Sequence, residues 1–131
     1  MKRNSSALSV IAFVLLAAAA PVFAHHSFSS EFDGNQEIVV KGVLTRIEWT
    51  NPHINFYVDV KDDNGNITTW GFQSGPPNML HRNGIRQSDY AIGETVTVTG
   101  APCKDTSKHY AWFKMMKYSD GRVFVYRNGA E

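Results

Sequence analysis

The feature that most constrains the fold of this chain is a strict alternation of apolar and polar residues over residues 54–60. This period of two predicts a β-strand with one buried face. Asn64-Gly65 then predicts a hairpin, because both residues tolerate the positive φ angles of a tight turn. Residues 67–73 return as a second strand, with Trp70 and Phe72 on one face. The apolar positions of the first strand are Ile54, Phe56, Val58 and Val60.

A longer strand precedes this hairpin, over residues 37–49. Its first apolar residues have even numbers, and after Gly42 the predicted inward positions are the odd-numbered Val43, Ile47 and Trp49. A change of parity at a glycine predicts a bulge or a sharp bend. A strand bent in this way can contribute to both sides of a small barrel.

The remaining elements complete an all-β pattern with one helix. Residues 74–77 interrupt the sheet, and a short helix is predicted through Met79, Leu80 and Arg82, ending at Asn83-Gly84. This order predicts an OB-like barrel of five to six strands, with one short helix between strands three and four. A generic β-sandwich is the alternative, although it would require more strands. Further strands are predicted at 95–100, 109–118 and 123–126.

The first 24 residues have the pattern of a signal peptide. Lys2 and Arg3 precede an apolar run over residues 8–20, which is too short to span a bilayer. We expect cleavage after Ala24 and export to the periplasm, with no membrane span in the mature chain. The mature chain is then predicted to contain an N-terminal arm (25–36) and a barrel domain (37–131).

The charge and cysteine content exclude two classes of protein. The formal net charge is +1, and removing Lys2 and Arg3 leaves a nearly neutral domain. Such a domain lacks the positive field that binding to a nucleic-acid backbone requires. Cys103 is the only cysteine, so an intramolecular disulfide is impossible. A metal pair of Cys103 with His109 lacks a third ligand, and a lone thiol is the simpler interpretation.

Three histidines form the candidate metal site. Cleavage after Ala24 would give His25 a free α-amine beside its imidazole, followed by His26. His53 follows the rigid Asn51-Pro52 turn and is the natural third ligand. Nitrogen donors of this kind suit Cu(II). The alternatives are a mobile polar pair at the cleavage site and a His53 ring that hydrogen-bonds a backbone carbonyl.

A second candidate site lies on the aromatic residues of the barrel. Tyr57 alternates with the apolar face of its strand, so we expect it to be exposed, with Trp49 and Asn51 as further ligand-binding residues. Such a surface could bind a sugar, a small molecule or a protein partner without metal. Most of the other aromatic residues are expected in the core, because a domain of this size needs them there.

The sequence contains no recognisable hydrolase, phosphate-binding or haem-attachment motif. We therefore expect a periplasmic binding protein without catalytic activity, with copper as the candidate cofactor. A redox role stays open, since copper held by an amine and imidazoles can perform oxidative chemistry.

Several segments together resemble a known family. They are His25-His26-Ser27-Phe28, Glu31-Phe32-Asp33, Gly42-Val43-Leu44-Thr45, Glu48-Trp49-Thr50-Asn51-Pro52-His53, residues 75–84 and residues 93–100. The combination resembles the domain-of-unknown-function family 6152 of small exported bacterial proteins. This resemblance implies export and a small β-barrel, and it supports the choice of His25, His26 and His53. Cys103 departs from the pattern of similar sequences. The family implies no activity.

Overall fold

The computed structural model of the protein describes residues 28–127. The predicted signal peptide, and with it the predicted ligands His25 and His26, lies outside the described residues. The elements in chain order are α1 (Phe28–Glu31), β1 (Ile38–Trp49), β2 (Ile54–Lys61), β3 (Ile67–Gln73), α2 (Pro77–Arg82), a 3₁₀ turn (Gln87–Asp89), β4 (Thr95–Pro102), β5 (Tyr110–Tyr118) and β6 (Val123–Val125).

The six strands form one sheet that closes into a barrel. Their order is β3-β2-β1-β4-β5-β6, and β3 also pairs with β5 in parallel, which closes a ring of five strands. The sixth strand adds to β5 outside that ring. With α2 between β3 and β4, this arrangement confirms the predicted OB-like barrel and excludes the two-sheet sandwich.

The long strand β1 bends, as its sequence predicts, but its parity changes later than expected. Residues 38–43 pair with β4 and residues 43–49 pair with β2. The register shifts at Thr45, between Leu44 and Arg46. The prediction that Val43 faces inward is therefore wrong: Val43 is 37% exposed, whereas Leu44 is fully buried. Gly42 has a different role, because a side chain there would collide with the Asp59 carbonyl oxygen of β2.

The barrel interior is filled by the alternating residues of its strands. The apolar positions Ile54, Phe56 and Val58 of β2 are fully buried, as their period of two predicts. Leu80 of α2 packs against the same core, so the short helix covers part of the barrel interior. No helix within residues 28–127 is long and apolar enough to cross a membrane.

The segment before β1 is attached to the outside of the barrel by backbone hydrogen bonds. The Asp33 amide donates to the Pro102 carbonyl at 2.9 Å, and the Lys104 amide donates to the Glu31 carbonyl at 2.9 Å. The Lys104 ammonium also donates to the Ser29 carbonyl at 2.6 Å. These bonds fix α1 against the β4–β5 connection, on the side of the barrel that carries His53.

Candidate functional site

His53 lies immediately before β2, directly after a turn with a cis Asn51–Pro52 peptide bond. Its Nδ1 atom is 3.0 Å from the Ser74 carbonyl oxygen. The neighbouring backbone holds that carbonyl in place, because the Ser74 amide donates to the Ile54 carbonyl at 2.8 Å and the Ile54 amide donates to the Gly75 carbonyl at 3.1 Å. The imidazole orientation is therefore set by the pairing of the two strand ends.

This contact determines which nitrogen of His53 is available. A carbonyl oxygen only accepts, so Nδ1 carries the proton and donates it. In the neutral ring the Nε2 atom then holds the free lone pair. Histidines that bind metals commonly show this arrangement, with the second ring nitrogen donating to a backbone carbonyl. The alternative interpretation, that His53 hydrogen-bonds a backbone carbonyl, is what the structure shows, and this contact leaves Nε2 without a proton.

Trp112 of β5 connects His53 to the beginning of the described chain. Its indole packs edge-on against His53, with ring centroids 6.1 Å apart and an interplanar angle of 79°. The same indole packs edge-on against Phe28, at 5.6 Å and 85°, and contacts Phe32 at 5.8 Å. The histidine and the N-terminal helix are thus neighbours of one side chain.

Within residues 28–127 no group of three or more His, Cys, Asp or Glu side chains could hold a metal ion. His53 is therefore the single predicted metal ligand that the described structure contains. A metal site here requires donors from the preceding residues, among which His25 and His26 were predicted.

The three predicted ligand-binding residues do not form one site. Tyr57 lies outside the barrel on β2, with its side chain partly exposed. Trp49 is turned the other way and packs partly buried against the core, with its ring 6.1 Å from that of Tyr90. Asn51 is exposed in the turn between them. Trp49 and Tyr57 thus occupy opposite faces of the β1–β2 pair.

Tyr57 belongs instead to a polar and aromatic surface that spans four strands. Its hydroxyl donates to Glu48 Oε2 at 2.8 Å, and the Arg46 guanidinium lies 3.8 Å above its ring centre. Burial of the side chain and the hydrogen bond to Glu48 raise the pKa of Tyr57 above its usual value. We call this surface the outer face, formed by Arg46, Glu48, Asn55, Tyr57, Gln73 and Tyr110.

The centre of the outer face is the hydroxyl of Tyr110. It lies 2.6 Å from Asn55 Oδ1 and 3.1 Å from Gln73 Oε1. One hydroxyl proton can serve only one of these oxygens, so one of the two amides must present its NH₂ group to Tyr110. The ring of Tyr110 occupies the space above Gly71, where a β-carbon would lie 2.6 Å from it.

The sequence predicts the part of the outer face that lies on β2. Asn55 has the same parity as Tyr57 on β2 and as His53 just before it, so the three were predictable as one outward row. Gln73 and Tyr110 join them only through the parallel pairing of β3 with β5, in which Gln73 faces Trp112 and Gly71 faces Tyr110.

The family model for DUF6152, a family of unknown function, matches residues 12–111. The chain belongs to this family. The match confirms the resemblance drawn from the sequence segments. Comparisons with curated proteins and with solved structures gave no match.

The DUF6152 match covers both candidate regions of this protein. It extends over His25, His26, His53 and the whole outer face, and it ends one residue before Trp112. The family description assigns no activity to DUF6152 proteins.

Cys103 lies beneath the N-terminal segment in this DUF6152 protein. It is 6% exposed and packs with Phe32 and Ala101, and an isolated antiparallel bridge outside the strands also pairs it with Phe32. His109 is exposed and packs its ring on Trp70, with centroids 5.1 Å apart. The thiol therefore behaves as a small apolar side chain of this outer cluster.

Proposed function

We propose that this DUF6152 protein is an exported binding protein without catalytic activity, which holds a copper ion between His53 and the N-terminal histidines His25 and His26. The observation that carries the proposal is the fixed imidazole of His53. Its Nδ1 atom donates to the Ser74 carbonyl at 3.0 Å, and its Nε2 lone pair remains for a metal.

Covalent geometry supports the approach of the N-terminal donors. Phe28 and His53 both contact Trp112, and His26 precedes Phe28 by two residues. Successive Cα atoms are about 3.8 Å apart, so the backbone of His26 stays within roughly 8 Å of that of Phe28. The chain is therefore long enough for an imidazole at position 26 to reach the neighbourhood of His53, and position 25 is one residue further along.

The set of donors favours copper. Cleavage after Ala24 would supply an α-amine, partly unprotonated at neutral pH, and the imidazole of His25. With Nε2 of His53 these make three nitrogen donors, which suits the tetragonal preference of Cu(II). Cleavage one residue earlier would place His26 third, where an amine, two amide nitrogens and an imidazole can bind Cu(II) in a plane.

The test uses protein exported and processed in a bacterial host, with the first residue determined by mass spectrometry. Cu(II) titration with EPR should show one nitrogen-coordinated ion per chain. His53→Ala should lower the Cu(II) affinity by about tenfold or more, since it removes one donor of the set. His109→Ala is the matched control, because that exposed histidine packs against Trp70, whereas His53 packs against Trp112.

The outcomes separate the parts of the proposal. Equal affinities of wild type and His53→Ala would remove His53 from the site and leave an N-terminal motif alone. Weak binding without fixed stoichiometry, in protein that begins at His25, would overturn the metal function.

A second candidate function is supported by the outer face. Its hydroxyl, amide and carboxylate groups lie beside partly exposed aromatic rings, a combination that suits the polar edges and apolar faces of a sugar. In the presence of a chelator, neutral oligosaccharides should shift the NMR resonances of Asn55 and Tyr57, and Tyr57→Ala should weaken that binding. Absence of shifts at these residues would exclude this candidate.

A further inference from the structure

A concave region lies on the opposite side of β1 from the outer face. It is an open groove of about 830 Å³, within the size range of small-molecule sites. None of its residues belongs to the copper site or to the outer face. We call it the β1–α2 groove, lined by Ile47, His81, Arg86, Gln87, Ser88, Tyr90 and Ile92.

The walls of the groove combine apolar side chains with polar ones. Ile92 is 58% exposed, and Ile47 of β1 lines the same groove. Tyr90 is almost fully buried in the wall. The ring of Trp49 extends the aromatic surface by packing against His81, with centroids 5.9 Å apart and an interplanar angle of 31°.

The groove carries a positive charge. Arg86 is the only charged residue of its lining, which contains no carboxylate. None of the ion pairs within residues 28–127 involves Arg86, whereas Arg46 and Arg122 are paired. The acidic residue nearest to Arg86 in sequence is Asp89, whose Oδ2 atom accepts a hydrogen bond from the Arg86 backbone amide at 2.7 Å.

We infer that the β1–α2 groove binds a small organic anion with a flat apolar body, such as an aromatic carboxylate. The carboxylate would pair with the Arg86 guanidinium, whose planar donors match two carboxylate oxygens. The ring would lie against Ile47 and Ile92, removing the exposed isoleucine from water. Ser88 and Gln87 offer further donors at the same rim.

The test uses 2-naphthoate as the probe and 2-naphthylmethanol as its neutral counterpart. Titration of ¹⁵N-labelled protein, with EDTA present, should show saturable shifts at Ile47, Ser88 and Ile92, with a Kd below about 1 mM. Arg86→Gln should weaken 2-naphthoate binding by about tenfold or more and leave 2-naphthylmethanol binding unchanged. Arg82→Gln is the matched control: Arg82 is also exposed and outside the ion pairs of residues 28–127, but it lines a different groove.

Three results with the wild-type protein and the two arginine variants would overturn the inference. They are the absence of saturable shifts, shifts centred elsewhere on the barrel, and equal effects of Arg82→Gln and Arg86→Gln. The same titration on His53→Ala protein should give the wild-type Kd, because the groove is independent of the copper site. A loss of binding in that variant would assign the probe to His53 instead.

Discussion

Replacing Tyr90 with phenylalanine should stabilise the protein. The Tyr90 ring packs between Phe124, with centroids 4.5 Å apart, and Phe56, at 4.9 Å. Its hydroxyl is buried and has no hydrogen-bond partner among the described residues. In the unfolded chain water would satisfy that hydroxyl, so folding strips it of hydrogen bonds without replacement. This burial also raises the pKa of Tyr90 far above its usual value.

The expected gain follows from that desolvation. A buried polar group without a partner costs about 1–3 kcal/mol, and Tyr90→Phe removes the group while keeping both ring contacts. The small void left by the oxygen offsets part of the gain. We expect the free energy of unfolding to rise by about 1–2 kcal/mol.

Tyr118→Phe is a matched control, for which we expect the opposite change in the free energy of unfolding. It is 1% exposed, and its hydroxyl accepts a hydrogen bond from the Ala91 amide at 2.9 Å. Tyr118→Phe removes the same atom but leaves that amide without its acceptor. The free energy of unfolding should therefore fall by about 1–3 kcal/mol.

The assay is urea unfolding at pH 7, followed by tryptophan fluorescence, since neither change removes a tryptophan. The midpoint should shift upward for Tyr90→Phe and downward for Tyr118→Phe, at an unchanged slope. A destabilisation of Tyr90→Phe equal to that of Tyr118→Phe would refute the reasoning. It would mean that the Tyr90 hydroxyl makes a hydrogen bond in solution, for example to an internal water.

Two further predictions test the fold. Leu44→Ala should lower the free energy of unfolding by about 2–5 kcal/mol, and Val43→Ala by less than about 1 kcal/mol, because only Leu44 faces the core. Urea unfolding measures both changes. The reverse order would place the bulge before Leu44. Burial raises the pKa of Tyr90 and of Tyr118 in the folded protein above 10, the ordinary tyrosine pKa that applies to the unfolded chain. Because the unfolded chain therefore loses these protons first, the free energy of unfolding should fall as the pH rises above 10. Urea unfolding from pH 9 upward should show this fall, with a smaller slope for Tyr90→Phe; a flat profile would contradict the burial of these hydroxyls.

The candidate site was only partly accessible from the sequence. His53 was identified because the Asn51-Pro52 turn restricts its backbone, and Tyr57 because its parity opposes the apolar residues of β2. The sequence groups Trp49 with Tyr57 as ligand-binding residues, whereas the structure places them on opposite faces of the β1–β2 pair. Arg86 has no sequence signal, because the groove forms only where residues 81–92 pack beside β1, which is distant from them along the chain.

The sequence by itself determined the strands, the Asn64-Gly65 hairpin and the helix that begins at Pro77. These features depend on residue periodicity and on turn chemistry, which act over a few residues. It also determined the OB-like order of elements and the family to which the chain belongs.

Only the tertiary structure decided which side chains meet. The bulge of β1 fell at Thr45 because pairing with both β2 and β4 sets the register, and no local pattern specifies that position. The partner of His53 is the carbonyl of Ser74, and its neighbour Trp112 arrives through the parallel closure of β3 on β5. Periodicity specifies the face on which a residue lies, but its neighbours on that face depend on strand register and barrel closure, which belong to the whole chain.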